Sequence, residues 1–292
     1  MLTLAHALNP LLMIALPILL GVGLTRRYRL GWSLFGWGAL TFLVSQVMHI
    51  PFNQLLLEPV LVDVGFPSKP VGLAVGALLL GLSAGLFEEF ARYLFLRRWA
   101  RAARTWQTGL LYGAGHGGFE AVLLGALAMY AFIQAVALRD ADLTLVLEPA
   151  QIAMAHAQLE AYWTMQPGVA LLGALERIFA LLIQMSASLM VVLSVVRSRW
   201  IWLAAAILWH AAVDGFAVYL LQRFDVYTAE VSVFVMALLA VAFMVLARKS
   251  GWLPEVRGEP DVDQPGRSGS SRVGVDTDEA DGRPDLEDSR YV

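Results

Sequence analysis

Residues 85–99 read GLFEEFARYLFLRRW, so Glu88, Glu89 and Arg92 fall inside a stretch that is otherwise apolar enough to cross a bilayer. A charge at the centre of a membrane helix costs about 3 kcal/mol, and such groups normally face a helix bundle or a water-filled cavity where they act. Arg92 lies i+4 from Glu88 and i+3 from Glu89, within reach of either, and can neutralise one carboxylate while leaving the other for chemistry. Two more apolar stretches repeat the pattern. HGGFE places His116 and Glu120 at i and i+4, and WHAAVDG places His210 and Asp214 at i and i+4, so each pair shares one helical face. A sheltered carboxylate and imidazole can share one water, the carboxylate taking its proton while the histidine orients it. That makes a nucleophile without serine or cysteine. A second histidine with its aspartate supplies donors for the oxyanion of a tetrahedral intermediate. Peptide hydrolysis is the natural reaction, with Glu88, Glu89, His116, His210 and Asp214 as catalytic candidates and Arg92 and Glu120 in support.

The elements that carry these residues are readable from composition. The chain has 292 residues, of which 58% are hydrophobic and 15% charged, and its mean hydropathy is +0.64. These values describe an all-α polytopic membrane bundle. A transmembrane barrel would need apolar residues alternating with period two, and the apolar runs here are continuous. There is no cysteine, which removes thiolate nucleophiles, disulfides and Cys-based zinc or iron–sulfur sites. Seven runs, near 9–25, 32–50, 71–96, 108–138, 168–196, 200–221 and 229–247, meet the length of about 20 residues that a crossing needs. The first lacks a preceding basic region and a small-residue cleavage site, so it reads as a retained helix rather than a signal peptide. Residues 1–249 form the membrane domain. Residues 250–292 read as a disordered acidic tail: from 251 on there are eleven Asp/Glu against five Arg, so a tail of −6 hides a membrane part of +3 behind the overall −3.

The loops set an orientation. Arg26, Arg27 and Arg29, then Arg97, Arg98, Arg101 and Arg104, then Arg197 and Arg199, then Arg248 and Lys249 occupy every second connection. Basic residues concentrate on cytoplasmic loops, so the expectation is a multi-pass cell-membrane protein with its N-terminus outside and its tail cytoplasmic. EPAQIAMAHAQLEAYWTMQPG, between the fourth and fifth spans, mixes apolar and polar residues at helical spacing and reads as an interfacial helix with His156 and Glu160 solvated. No basic patch or phosphate loop is present, which excludes nucleic acid as a partner. Lipid and a peptide or membrane-protein substrate are the expected partners, and no oligomeric state is legible.

Counting from the basic loops, Glu88, His116 and His210 all fall roughly 12–15 Å from the cytoplasmic boundary. Three helices thus deliver polar groups to one level. The alternative is a set of structural polar contacts between helices, worth about 0.6 kcal/mol each in some membrane systems. Gly113, Gly115, Gly117 and Gly118 around His116 read as close-packing positions. Gln46, His49 and Asn53 in the second span, and Glu176, Arg177 and Gln184 in the fifth, count to other depths and read as supporting or structural.

The residues also resemble a family. EEFAR, an aromatic four residues before a histidine in YGAGH, and a later His-x-x-x-Asp look like the three motifs of the CPBP (CAAX protease and bacteriocin-processing) intramembrane proteases. More closely, HIPFN, EEFARY, GHGGFE and WHAAVDG in this order resemble the YhfC family of glutamic-type intramembrane proteases. The resemblance covers most of residues 46–214. It implies Glu88 as the base that activates water with His116, and His210 with Asp214 on the oxyanion side, with no cofactor. The sequence departs from the wider CPBP pattern in having two residues, not three, between the Glu pair and Arg92, and Asp214 where Asn is common. Two other classes stay open. The same histidines and carboxylates could hold zinc, although no HExxH is present. A proton-coupled transporter or membrane scaffold could keep the cluster as a relay or as structure, although the inverted repeats typical of transporters are missing.

Overall fold

The computed structural model describes residues 1–145 and 148–256. Among these residues the chain is all-α, with seven helices long and apolar enough to cross a membrane. In chain order the helices are α1 (Leu2–Tyr28), α2 (Ser33–Phe52), α3 (Glu58–Val64), α4 (Pro70–Arg98), α5 (Trp106–Leu138), α6 (Pro149–Thr164), α7 (Pro167–Ala170), α8 (Leu172–Arg197), α9 (Ile201–Arg223) and α10 (Val226–Lys249).

Helix ends obey local chemistry. Thr105 caps α5 in a reciprocal box with Thr108, and the Asp225 carboxylate accepts the Thr228 amide at the start of α10, each satisfying an otherwise orphaned N–H. Arginines in the last turns of α1, α4 and α8 sit where the helix dipole is negative. The second span is longer than its apolar run. α2 passes through a wide turn over Asn53–Leu57 into α3, making one span over Ser33–Val64 that tolerates Pro51 and Pro59 and stops at Gly65, with φ 79°. Wide turns of this kind are frequent at functional sites.

Packing brings the polar helices together. α5 packs against α1, α2 and α8, α4 lies along α9, and α10 covers α8 and α9. Two crossings are close enough to demand glycine. A methyl added at Gly38 or Gly115 would lie 2.0 Å from the carbonyl oxygen of Tyr112 or Phe35, and one at Gly81 would lie 2.3 Å from that of Ala211. Small residues at such contacts let helix backbones approach in the absence of a hydrophobic driving force. The close-packing expectation for the glycines around His116 therefore holds.

Two surface segments remain. α6 is a helix with no buried residue, His156 and Glu160 are exposed, and it leans on α1 through a 3.0 Å bond between His6 Nε2 and the Tyr162 carbonyl. Residues 250–256, assigned to the tail by composition, pack on the bundle. Leu253 is buried, the Trp106 amide donates to the Pro254 carbonyl at 2.9 Å, and Gln107 bonds both the Val256 amide and the Glu255 carboxylate. Arg248, beside Glu255, holds that carboxyl below the usual range through its hydrogen bond. The physical reason is the pair Trp252–Leu253. Trp252 stacks among Trp202 and Phe243, and the apolar area removed from water outweighs the acidic character of the neighbouring residues. The remainder of the expected acidic tail, residues 257–292, lies outside the described residues.

Candidate active site

α4 turns its adjacent carboxylates into different surroundings. Glu89 has no exposed surface. Its two oxygens each accept from Arg92 Nη1 at 2.8 Å, and its Oε1 lies 2.8 Å from His210 Nδ1. Arg92, also fully buried, gives Nη2 to Gln184 Oε1 at 2.6 Å. Of the two carboxylates within its reach, Arg92 has taken Glu89 and left Glu88 free. Glu88 Oε2 lies 3.0 Å from His116 Nε2, and its Oε1 accepts from Gln46 Nε2 at 3.1 Å.

The second histidine completes the centre. With Nδ1 held by Glu89, His210 points Nε2 toward Glu88 Oε2 at 3.8 Å and Asp214 Oδ2 at 3.5 Å. Two imidazole Nε2 atoms from α5 and α9 thus converge on one carboxylate oxygen of α4. His116 is fully buried against the edge of Phe42, and its Nδ1 has no hydrogen-bond partner among the described residues. Asp214 stands at the rim, its side chain 40% exposed.

The pairing of His116 with Glu120 is not made. Glu120 turns to Arg177, whose Nη1 donates at 2.7 Å, and to Gln184 Nε2 at 3.1 Å. Arg177 also donates to Glu176. Gln46 and Gln184, read as supporting, do touch the centre, although their counted depths set them apart from it. A depth counted along the backbone ignores the reach of a long amide side chain, and Gln184 spans from Arg92 to Glu120. On the α2 side a bonded series leaves Glu88 through Gln46 and His49 to Ser83 and Asn53, ending at the wide turn.

A cavity of about 90 Å³ joins Glu88, His210, Asp214, Gln184, Glu120 and Arg177. That is room for at least one water among several polar partners. A larger groove of about 500 Å³ between α4 and α9, lined by Ala77, Leu78, Leu82, Leu208 and Phe216, carries no ionisable group of the centre.

Two imidazole nitrogens and a carboxylate oxygen are also a donor set that zinc accepts, and a carboxylate on the far nitrogen of a ligating histidine, as Glu89 is on His210, is the usual orienting partner. The chemistry of the donors therefore fits a metal. Among the described residues no three such side chains already stand at coordinating spacing.

Comparison with known proteins points the same way. The model of a family described as YhfC intramembrane metalloprotease matches residues 12–241. The chain is 32% identical over 249 residues to the uncharacterized membrane protein YhfC of Bacillus subtilis strain 168, covering 83% of this chain and 95% of that one. No solved structure matches. The chain belongs to the YhfC family.

Proposed function

We propose that this YhfC-family protein hydrolyses peptide bonds within the membrane, using a water in the cavity beside Glu88, the carboxylate that His116 holds. The observation that carries this reading is the convergence of His116 Nε2 and His210 Nε2 on Glu88 Oε2 beside a cavity that admits water. Glu88 takes a proton from the water as its oxygen adds to the scissile carbonyl carbon. His116 orients the Glu88 carboxylate toward that water. His210, fixed through Nδ1–H by Glu89, acts with both ring nitrogens protonated and gives Nε2–H to the developing oxyanion, with Asp214 beside the same nitrogen at the rim. The proton on Glu88 then passes to the leaving amine as the C–N bond breaks. Arg92 pairs with Glu89 and holds it in place without touching the reacting atoms. Kinship with the CPBP proteases and the glutamic mechanism rest on motif order and on this geometry.

A second reading is favoured by the donor set and by the family's description as metalloproteases. In it His116, His210 and Glu88 hold zinc, with Glu89 orienting His210. Zinc when bound would polarise the scissile carbonyl and acidify its water. Exhaustive chelation of purified protein, with elemental analysis, separates the two. Activity that survives chelation with no stoichiometric zinc supports the water beside Glu88; activity lost on chelation and restored by zinc overturns it.

The orientation is part of the same proposal: N-terminus outside, arginine-rich loops cytoplasmic, with a peptide or membrane-protein segment as substrate. Reporter fusions after residues 30, 104 and 198 should all report cytoplasm, and an external signal at 104 would reverse it.

A further inference from the structure

The centre lies nearer one end of the bundle, and that end is closed. Glu88 is ten residues from Arg98 and eighteen from Pro70, His116 is ten from Trp106, and His210 is nine from Ile201. At about 1.5 Å per residue, Glu88 stands roughly 15 Å from the arginine-rich end and about 27 Å from the other. The short route is filled. Leu96, Leu111, Tyr112, Leu189, Val192 and Leu193 between them have no exposed surface, and Trp252 and Leu253 pack against the same cluster. A cavity of about 340 Å³ does open at this end among Tyr93, Arg97, Ser194, Val195, Trp200 and Leu203, but no residue of the centre lines it.

The polar side chains leave in the other direction. From Gln184 the contacts run to Glu120, Arg177 and Glu176, ending within five residues of the start of α8. Exposure rises along this line. Side chains of Glu89, Arg92 and His116 are sealed, Glu120 is 21% exposed and Glu176 37%. Arg177 Nε, and Glu230 Oε2 near the same end on α10, are buried without partners among the described residues. The series Gln46, His49, Asn53 on α2 runs away from the arginine-rich end as well.

We propose that substrate reaches the centre from the end opposite the arginine-rich one, on the side where the water-sized cavity between α5, α8, α9 and α10 lies behind the Glu120–Arg177–Glu176 cluster. The substrates are then peptide segments on the non-cytoplasmic side of the membrane, such as the external flank of a membrane anchor, and not cytoplasmic lipidated tails. The substrate class rests on the protease reading and on the proposed orientation; the direction of access does not. Arg177 is a positioning residue. Its guanidinium engages Glu120 on α5 and Glu176 on α8 and so fixes the carboxylates at the mouth.

Because the chain has no cysteine, single cysteines report access cleanly. Ala180→Cys and Ala217→Cys line the cavity, Gly168→Cys marks the exposed surface at the proposed entrance, Arg101→Cys marks the arginine-rich end, and Val195→Cys marks the vestibule there. Labelling by a membrane-impermeant maleimide, in intact cells and in inverted vesicles, should place Ala180→Cys and Ala217→Cys with Gly168→Cys, and Val195→Cys with Arg101→Cys. Labelling of the cavity positions from the side of Arg101→Cys, or their protection from both sides while Gly168→Cys reacts, overturns the proposal. These readouts need no catalysis. In parallel, membrane proteomes of cells carrying intact protein or Glu88→Gln should differ in uncut species whose cleavage sites lie outside. A proteome without differences sinks the protease reading and leaves the access result standing; cleavage sites on the cytoplasmic side overturn the substrate class.

Discussion

The two halves of the bundle on either side of Glu88 are built on opposite rules. Toward the arginine-rich end, leucines, valines and Tyr112 interlock with no exposed surface, and the buried charges Glu89 and Arg92 are consumed by each other. Toward the far end, carboxylates, amides and a guanidinium line a water-sized cavity with graded exposure. Two adjacent residues, Glu88 and Glu89, therefore serve different halves: one lines the cavity, the other is paired with Arg92 in the frame. Substitutions should separate activity from stability according to the half they touch.

The sharpest break is Glu88→Gln, which keeps volume and removes the proposed base; turnover should fall by roughly 10²–10⁴, the usual scale of general acid–base catalysis, while thermal unfolding is unchanged. A variant that loses rate and fold together would erase the distinction. Arg92→Ala strands a buried carboxylate and should cost about 3–5 kcal/mol of stability, read as a lowered unfolding midpoint in detergent. Leu253→Ala, on the closed end, should cost about 2 kcal/mol with kcat per folded molecule unaltered. Gln46→Ala takes one donor from Glu88 in the open half and should reduce kcat about tenfold, with no shift in the midpoint, as for one hydrogen bond to a charged group. Deleting residues 257–292 should change neither stability nor rate, given how little apolar surface the segment holds; loss of either would show that the tail joins the membrane part.

Much of this division was legible in the sequence, for one reason: a charge inside a 20-residue apolar run has few innocent explanations. Glu88, Glu89, His116 and His210 stand out that way, and the i+3 and i+4 spacing to Arg92 anticipates an ion pair. Spacing could not decide which glutamate the arginine takes, because both lie within one turn. The choice depends on Gln184 and His210 arriving from helices far off in sequence. The partner of Glu120 was illegible for the same reason. The second span was underestimated because Pro51 and the polar Asn53 resemble a stop, whereas a wide turn absorbs them and continues to Val64. The first residues of the tail were misassigned because composition averages over a window, and Trp252 with Leu253 are diluted by the Gly, Pro and Asp that come after them.

The docked segment at residues 252–256 has a consequence for how the protein is made. It ties the end of the last helix to Arg197 and to Gln107, a residue synthesised some 149 positions earlier. Chains are built from the N-terminus, and early parts begin to fold before late ones exist. These ties therefore cannot form until every membrane helix has emerged and been inserted. The segment acts as a clasp fastened at the last moment of biogenesis, and a ribosome that stops short of Leu253 releases a bundle with all seven helices and no closure.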